Sequence, residues 1–108
     1  MEIIERNILY YETRDGKIPF REWVYDLPSE KTQEIIHNRI SRLRSGNFGD
    51  CKTVGGGIFE LRIHYGPGYR IYFGEIENTI VLLLLGGEKD TQIRDIMKAQ
   101  SFWEDFRR

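Results

Sequence analysis

The segment at residues 80–85, with the sequence IVLLLL, constrains the fold most because it is apolar at every position. A strand with one solvated face alternates apolar and polar side chains, whereas a continuously apolar strand must be covered on both faces. The run is also far shorter than the roughly 18 apolar residues of a membrane-spanning helix. We therefore predict a strand over residues 79–85 that lies centrally in a sheet.

Two more strands, over residues 58–64 and 69–75, precede this segment and enclose a Gly-Pro-Gly turn. Along the first of them apolar and polar side chains alternate, so that Leu61 points to one face and Arg62 to the other. The same alternation in the second strand places Arg70 on the face opposite its apolar neighbours. The pattern predicts a β-hairpin with both arginines on one face.

Two registers of this hairpin are compatible with the alternation. A three-residue loop followed by a glycine bulge sets Arg62 directly opposite Arg70, whereas a five-residue loop sets Arg70 opposite His64. In either register two guanidinium groups share a small patch, and their repulsion at about 5 Å and an effective dielectric near 20 is on the order of 3 kcal/mol. An ion pair with Glu60, which lies opposite Tyr72 in the first register, or a bound phosphate would relieve that repulsion.

Helical patterns on both sides of the hairpin indicate an α+β domain. A strand over residues 8–13 is followed by a helix over 19–27 and, after the N-cap Ser29, by a helix over 30–45. A final helix is predicted over residues 91–106. The apolar side chains of this helix that we expect to face mostly inward are Ile93, Ile96, Met97, Trp103 and Phe106. The predicted order is strand-helix-helix-strand-strand-strand-helix, with the helices packed on a small sheet.

Composition favours a single soluble domain over residues 1–108, with 40% apolar and 31% charged residues. The N-terminal segment lacks the basic start, apolar block and cleavage site of a signal peptide, so we expect a cytoplasmic protein without a membrane segment. Cys51 is the single cysteine, and no Cys/His cluster has the spacing of metal ligands. We therefore expect no internal disulfide, no metal and no cofactor.

Charge is unevenly distributed although the net charge is only −1. Residues 31–70 carry seven basic and three acidic residues, a local net charge of +4, between flanks of −3 and −2. A local basic surface can attract phosphate even when the whole protein is nearly neutral. An ordinary solvated helix face is an alternative explanation for part of this charge, namely Arg39, Arg42 and Arg44.

The sequence GGEK at residues 86–89 points to an anionic ligand as well. We expect the glycine pair where the central strand ends and a helix soon begins, so that exposed backbone N–H groups could bind an anion; a simple turn is the alternative. Lys89 would then join Arg62 and Arg70. The aromatic rings expected nearby for base stacking are Tyr65, Tyr69 and Tyr72. This combination favours a single-stranded RNA site over a nucleotide cofactor site.

Two stretches, GGGIFELRIHYGPGYRIYF and IVLLLLGGEKDTQIRDIMKA, resemble the HigB-like addiction-module killer proteins of the RelE/ParE toxin superfamily. The resemblance runs in order over residues 54–103. It implies a type II toxin that cleaves messenger RNA, usually on the translating ribosome, without a metal ion. It also implies a helix-turn-helix, HigA-like antitoxin encoded beside the toxin, through which alone operator DNA would be bound.

The resemblance also suggests roles for individual residues. Arg70 is similar to the strand arginine that grips the scissile phosphate, Lys89 to a group that stabilises transition-state charge, and Arg62 to a basic position beside the site. These three are the expected catalytic residues. The residues expected to contact RNA are Glu60, His64, Tyr72 and Gln92. Proton transfer is left open between His64 and Glu60, since Asp95 falls near the position where some relatives place an aromatic acid or base.

Other functions are compatible with the same pattern. The ParE branch of the superfamily shares the fold but inhibits DNA gyrase by binding it, without RNA cleavage. A catalytically inactive partner that only co-represses with its antitoxin is a second alternative. A phosphate-binding fold of unrelated function is a third.

Overall fold

A computed structural model describes residues 4–108 of the chain. In chain order the elements are β1 (Asn7–Tyr10), α1 (Pro19–Tyr25), α2 (Glu30–Arg44), β2 (Cys51–Thr53), β3 (Phe59–Ile63), β4 (Tyr69–Ile76), β5 (Ile80–Glu88), a 3-10 turn (Lys89–Thr91) and α3 (Gln92–Arg107). The predicted α+β class is confirmed. The predicted order is wrong in one respect, because it omits the short strand β2.

The five strands form one mixed sheet in the order β1-β5-β4-β3-β2. β1 pairs in parallel with β5, and the other neighbours pair antiparallel. β5 therefore lies in the interior of the sheet, between β1 and β4, as its continuous apolar run predicts. β2 went unpredicted because its three residues pair only with the edge of β3 and carry no apolar alternation.

Apolar side chains cover both faces of β5. Val81 and Leu83 point into a cluster formed with α1 and α2, while Leu82 and Leu84 point into a second cluster with α3. Helices thus lie on both sides of the sheet, and each side has its own core. The expectation that both faces of the run are covered is confirmed.

The helices of the first half begin where the sequence predicts. Pro19 occupies the first turn of α1, where its missing N–H costs nothing. Ser29 is the N-cap of α2, and its hydroxyl oxygen accepts a hydrogen bond from the backbone N–H of Thr32 at 3.1 Å. The apolar stripe of α2, including Ile36 and Leu43, is buried against the sheet. These local signals position α2 beside the hairpin.

The prediction for α3 is wrong for part of its apolar surface. Ile93 and Met97 are 80% and 66% exposed, and Phe106 is also exposed. Trp103 and Ala99 are the side chains of α3 that are buried in its apolar core, with Ile96 partly buried. The exposed pair lies on the solvent side of the helix because α3 packs on the sheet through a narrower stripe than its apolar content suggests.

The glycine pair does not end the strand. Gly86 and Gly87 belong to β5 and pair with β4, so the strand end and the turn that we predicted at this pair are wrong. A β-bulge where β4 pairs with β5 precedes them. A Cβ atom on Gly86 would lie 2.0 Å from the ring of Trp23, and one on Gly87 would lie 2.0 Å from a carboxylate oxygen of Asp95. The pair is required by close packing of these side chains on opposite faces.

Within residues 4–108, none of the helices has both the length and the apolar character needed to cross a membrane.

Candidate anion-binding groove

The β3–β4 hairpin adopts the first of the two predicted registers. Arg62 is paired with Arg70, and Glu60 with Tyr72. Directly paired residues of neighbouring strands point to the same face, so all four side chains lie on the side of the sheet that carries α3. The prediction that the two arginines share one patch is confirmed.

Glu60 lies between the arginines and is fully buried, with 0% exposure. Its Oε1 accepts hydrogen bonds from Nε of Arg62 at 3.0 Å and from Nη1 of Arg70 at 3.3 Å. Its Oε2 accepts a hydrogen bond from Nε2 of Gln92 at 2.7 Å. One carboxylate therefore joins β3, β4 and the first residue of α3, and it relieves the repulsion between the paired guanidinium groups.

The electrostatics of this buried cluster keep Glu60 ionised. Burial by itself would raise the pKa of Glu60, but hydrogen bonds from Arg62 and Gln92 and the charges of the two arginines outweigh burial and bring the pKa below its usual value. Burial and the charge of Glu60 raise the pKa of the neighbouring Tyr72 hydroxyl, so that it stays protonated. Among residues 4–108, three side-chain polar atoms are buried without a hydrogen-bond partner: this hydroxyl, Nε of Arg70 and Nε1 of Trp103.

Lys89 reaches the same region from the end of β5. Its backbone N–H donates a hydrogen bond to the carbonyl oxygen of Gly68 at 2.8 Å, which ties the 3-10 turn to the hairpin loop. The Lys89 side chain is exposed, and among the described residues it has no carboxylate within ion-pair distance. It is therefore available to an anion from solvent.

These side chains line one open groove of about 610 Å³, which we call the basic groove. Its polar lining consists of Arg62, His64, Arg70, Lys89 and Gln92, and its rim is the hairpin loop at residues 65–69. Three cationic side chains against one buried carboxylate leave a net positive charge in the groove. A guanidinium group offers several N–H donors, so donors remain for phosphate beyond those engaged by Glu60.

The exposure of the predicted RNA-contacting residues divides them into two pairs. His64 and Gln92 line the basic groove. Glu60 and Tyr72 are fully buried beneath it, because α3 packs over the polar face of the hairpin, so neither meets solvent. Of the tyrosine rings predicted to stack on bases, Tyr65 is exposed to solvent, whereas Tyr69 is buried.

Other candidate groups lie outside the basic groove. Asp95 is buried beside Gly87, and its Oδ2 accepts a hydrogen bond from the hydroxyl of Thr91 at 2.5 Å. His37 lies beside a separate small pocket of about 130 Å³ next to α1. In the part of the chain that the structure describes, no group of three or more His, Cys, Asp or Glu side chains is arranged to hold a metal ion.

His64 has a partner that sequence reasoning missed. Its Nε2 lies 2.6 Å from Oδ2 of Asp50, which immediately precedes β2, and both side chains are largely exposed. The hydrogen bond with His64 is the main reason that the pKa of Asp50 lies below its usual value. The contact between His64 and Asp50 forms because β2 lies beside β3. It could not be predicted because β2 itself was not predicted.

A second groove, of about 460 Å³, continues from the basic groove toward α2. The two grooves share Arg62 and His64, and the second adds Asn38, Arg39 and Arg42 of α2. The buried Arg39 donates hydrogen bonds to the carbonyl oxygens at residues 47 and 48, and burial lowers its pKa. Of the three arginines of α2, Arg39 and Arg42 thus line a groove and do not form an ordinary solvated helix face. This position could not be predicted from the sequence because it depends on the contact between α2 and β3.

The fold and site together define a class: a small α+β domain with a five-stranded mixed sheet and a positively charged groove at the hairpin end of one face. No protein family model matches the chain. An uncharacterized protein of Haemophilus influenzae is 46% identical over 83 residues, a match that covers 77% of this chain and 84% of that protein. The chain therefore belongs to the same family as the Haemophilus protein.

Proposed function

We propose that the protein is the toxin of a type II toxin–antitoxin system, a HigB-like member of the RelE/ParE superfamily that cleaves messenger RNA. The observation that carries the proposal is the convergence of Arg62, Arg70 and Lys89 on one open groove, from two strands and the turn before α3. Two of these cations come from neighbouring strands of one hairpin, and the third comes from the turn that follows the next strand. Convergent cations of this kind suit the phosphate of an RNA backbone.

The chemistry that fits the groove is attack by a ribose 2′-oxygen on the adjacent phosphorus. A 2′,3′-cyclic phosphate forms while the bond from phosphorus to the 5′-oxygen of the next nucleotide breaks. In this proposal Arg70 and Arg62 bind the phosphate oxygens, and Lys89 stabilises the negative charge that develops in the transition state. Each such preorganised donor is typically worth about 3–4 kcal/mol.

Two proton transfers complete the reaction, one from the 2′-hydroxyl and one to the leaving 5′-oxygen. His64 is the candidate base for the first transfer because it lines the groove, whereas both oxygens of Glu60 are engaged out of reach of solvent. The leaving 5′-oxygen would take its proton from water in the open groove. The Nε2–H of His64 donates to Asp50, which leaves Nδ1 as the ring atom that accepts a proton.

The proposal includes partners whose chemistry matches the two grooves. RNA longer than one nucleotide would continue along α2, past Arg42, in the second groove. The ribosome would present the message, and a helix-turn-helix, HigA-like antitoxin would silence the toxin and carry operator binding. The site of action would then be the cytoplasm.

The test is tightly controlled expression in cells that lack the antitoxin, with Arg70→Ala and Lys89→Ala compared with the wild-type protein. We expect the wild type to arrest growth and to cut messages within translated codons, detected by primer extension. Each variant should lose roughly 10²–10³-fold in cleavage rate. Arg14→Ala is the matched control, because it removes an exposed cation that pairs with Asp105 outside the groove.

Circular dichroism of the purified variants separates loss of activity from loss of folding. Arrest by both groove variants at the wild-type level would overturn the phosphate-binding role. Intact messages together with DNA-damage signalling would identify a gyrase inhibitor instead. Operator binding without toxicity in any host would identify an inactive co-repressor.

A further inference from the structure

We infer that Glu60 is a positioning residue, which holds Arg62, Arg70 and Gln92 in place beneath the groove and does not itself touch RNA. The inference rests on the proposed function, since it assigns how the cations of that site are arranged. It differs from the role that the sequence suggests for Glu60, which is direct contact with RNA or proton transfer.

The first support is the number of elements that meet at one carboxylate. Oε1 is shared by Arg62 of β3 and Arg70 of β4, and Oε2 accepts from Gln92 at the start of α3. Each of these side chains has several rotatable bonds and would otherwise sample many rotamers. A common anchor fixes their relative positions before any ligand arrives, which is the preorganisation that a charge-stabilising site needs.

The second support is the position of Lys89. This residue lies in the 3-10 turn directly before Gln92, and its backbone N–H is bound to the hairpin loop at Gly68. The Glu60–Gln92 hydrogen bond therefore fixes the start of α3 relative to β3, and with it the turn that carries the lysine. Loss of the anchor is expected to loosen all three cations together.

The third support is that Glu60 has no access to a substrate. Its side chain is completely buried, and both carboxylate oxygens are already engaged. A general base must come within hydrogen-bond distance of the proton that it removes. Glu60 can meet that requirement only if α3 moves away, which would also dismantle the cluster.

The experiment compares Glu60→Gln with a matched control, Glu75→Gln. Glu75 lies on β4, and it pairs with Arg6 at 3.1 Å, away from the basic groove. Both substitutions remove one partly or fully buried carboxylate from an ion pair with little change in volume. Urea unfolding of both variants measures how much of any effect is global.

The first readout does not depend on RNA. In ¹⁵N-correlated NMR spectra the Nε–H signal of Arg62, assigned by its disappearance in Arg62→Lys, should be resolved and slow to exchange in the wild type. We expect Glu60→Gln to lose this signal, or to bring it to the position of exposed arginines, while Glu75→Gln leaves it unchanged. An unaltered signal in Glu60→Gln would overturn the inference.

The second readout is single-turnover cleavage of ribosome-bound message at varied toxin concentration. We expect Glu60→Gln to lower the rate at saturation by roughly 10²-fold, since a misplacement of about 1 Å can cost that much. The concentration for half-maximal rate should change less than about threefold, because contacts of the message beyond the scissile phosphate, such as those past Arg42, are left in place. A normal saturating rate with a strongly raised half-maximal concentration would mean that Glu60 contacts RNA, and would contradict the inference.

A second variant covers the case in which Glu60→Gln does not fold. Gln92→Ala leaves the carboxylate in place but removes its α3 partner, and Gln92 is only partly buried. The arginine signal and the saturating rate should change in the same direction by a smaller factor, and wild-type values for both would refute the positioning role. An altered arginine signal in a protein whose wild type cleaves no RNA would refute the proposed function and leave the structural role intact.

Discussion

The two faces of the sheet differ in the chemical character of the side chains buried on them. On the face that carries α1 and α2, a large apolar and aromatic cluster is buried, and the one buried charged residue of α2, Arg39, donates to backbone carbonyl oxygens instead of forming an ion pair. On the face that carries α3, a smaller apolar cluster around Trp103 gives way to buried charged groups at the hairpin end. Those charged groups are Glu60, Arg70 and Asp95.

One face of the sheet therefore mainly stabilises the domain, whereas the other positions the charged side chains of the groove. Burial of apolar side chains contributes roughly 25 cal/mol per Å² and needs no exact partner geometry. Buried charges are costly unless they are hydrogen-bonded, so the α3 face is held in one arrangement by specific donors and acceptors. The basic groove lies where the side chains bound to Glu60 reach the protein surface.

The largest expected effect comes from the apolar face. Leu43→Ala removes a side chain of α2 with 0% exposure and should lower the free energy of unfolding by roughly 2–5 kcal/mol, measured by urea denaturation. Ile93→Ala is the control, because the same kind of truncation at an exposed position of α3 should change stability by less than about 0.5 kcal/mol. Similar losses for both would contradict the burial of Leu43 in the core and the exposure of Ile93.

The glycine pair gives an intermediate effect that distinguishes the faces directly. Gly86→Ala places a methyl group against Trp23, and Gly87→Ala places one against Asp95, each at a cost of about 1–3 kcal/mol in unfolding free energy. Trp23→Leu should rescue Gly86→Ala but not Gly87→Ala in a double-mutant cycle, since it makes room on one face only. Equal rescue of both variants would mean that the packing is not face-specific.

The smallest effect is the pH dependence of the charged face. The pKa of Glu60 is lower in the folded protein than in the unfolded chain, so the ionised carboxylate stabilises the fold above the ordinary glutamate range, about pH 4.3. This contribution is lost as pH falls through the lowered folded pKa. The difference in unfolding free energy between wild type and Glu60→Gln should therefore shrink from neutral pH to pH 3 in urea titrations. A difference that stays constant would show that Glu60 is not ionised in the fold.

Much of the fold follows from patterns that are local in sequence. The Gly-Pro-Gly turn and the alternation on either side of it predict the hairpin and the shared arginine patch, because strand geometry fixes which side chains are neighbours. Pro19 and Ser29 mark the starts of α1 and α2 for similarly local reasons. The apolar run of β5 indicates its interior place in the sheet.

The features that escaped prediction all depend on contacts between distant segments. From the sequence, the glycine pair is typical of a turn. Only the structure shows that Trp23 and Asp95 pack against it. The partner of His64 comes from the residue before β2, a strand too short to carry a periodic signal. Arg39 and Arg42 face a groove only because α2 lies beside the end of β3.

By itself the sequence determined the secondary structure of the hairpin, the single face shared by Arg62 and Arg70, and the interior position of the apolar strand, whereas the register that pairs the two arginines is seen only in the structure. These depend on backbone geometry and on side-chain periods that act over a few residues. Only the tertiary structure decided that α3 would cover the polar face of the hairpin, bury Glu60 among three donors and leave Lys89 in the open. Packing of one helix on a sheet is a non-local event, and here it separates the residues that reach a ligand from those that hold them in place.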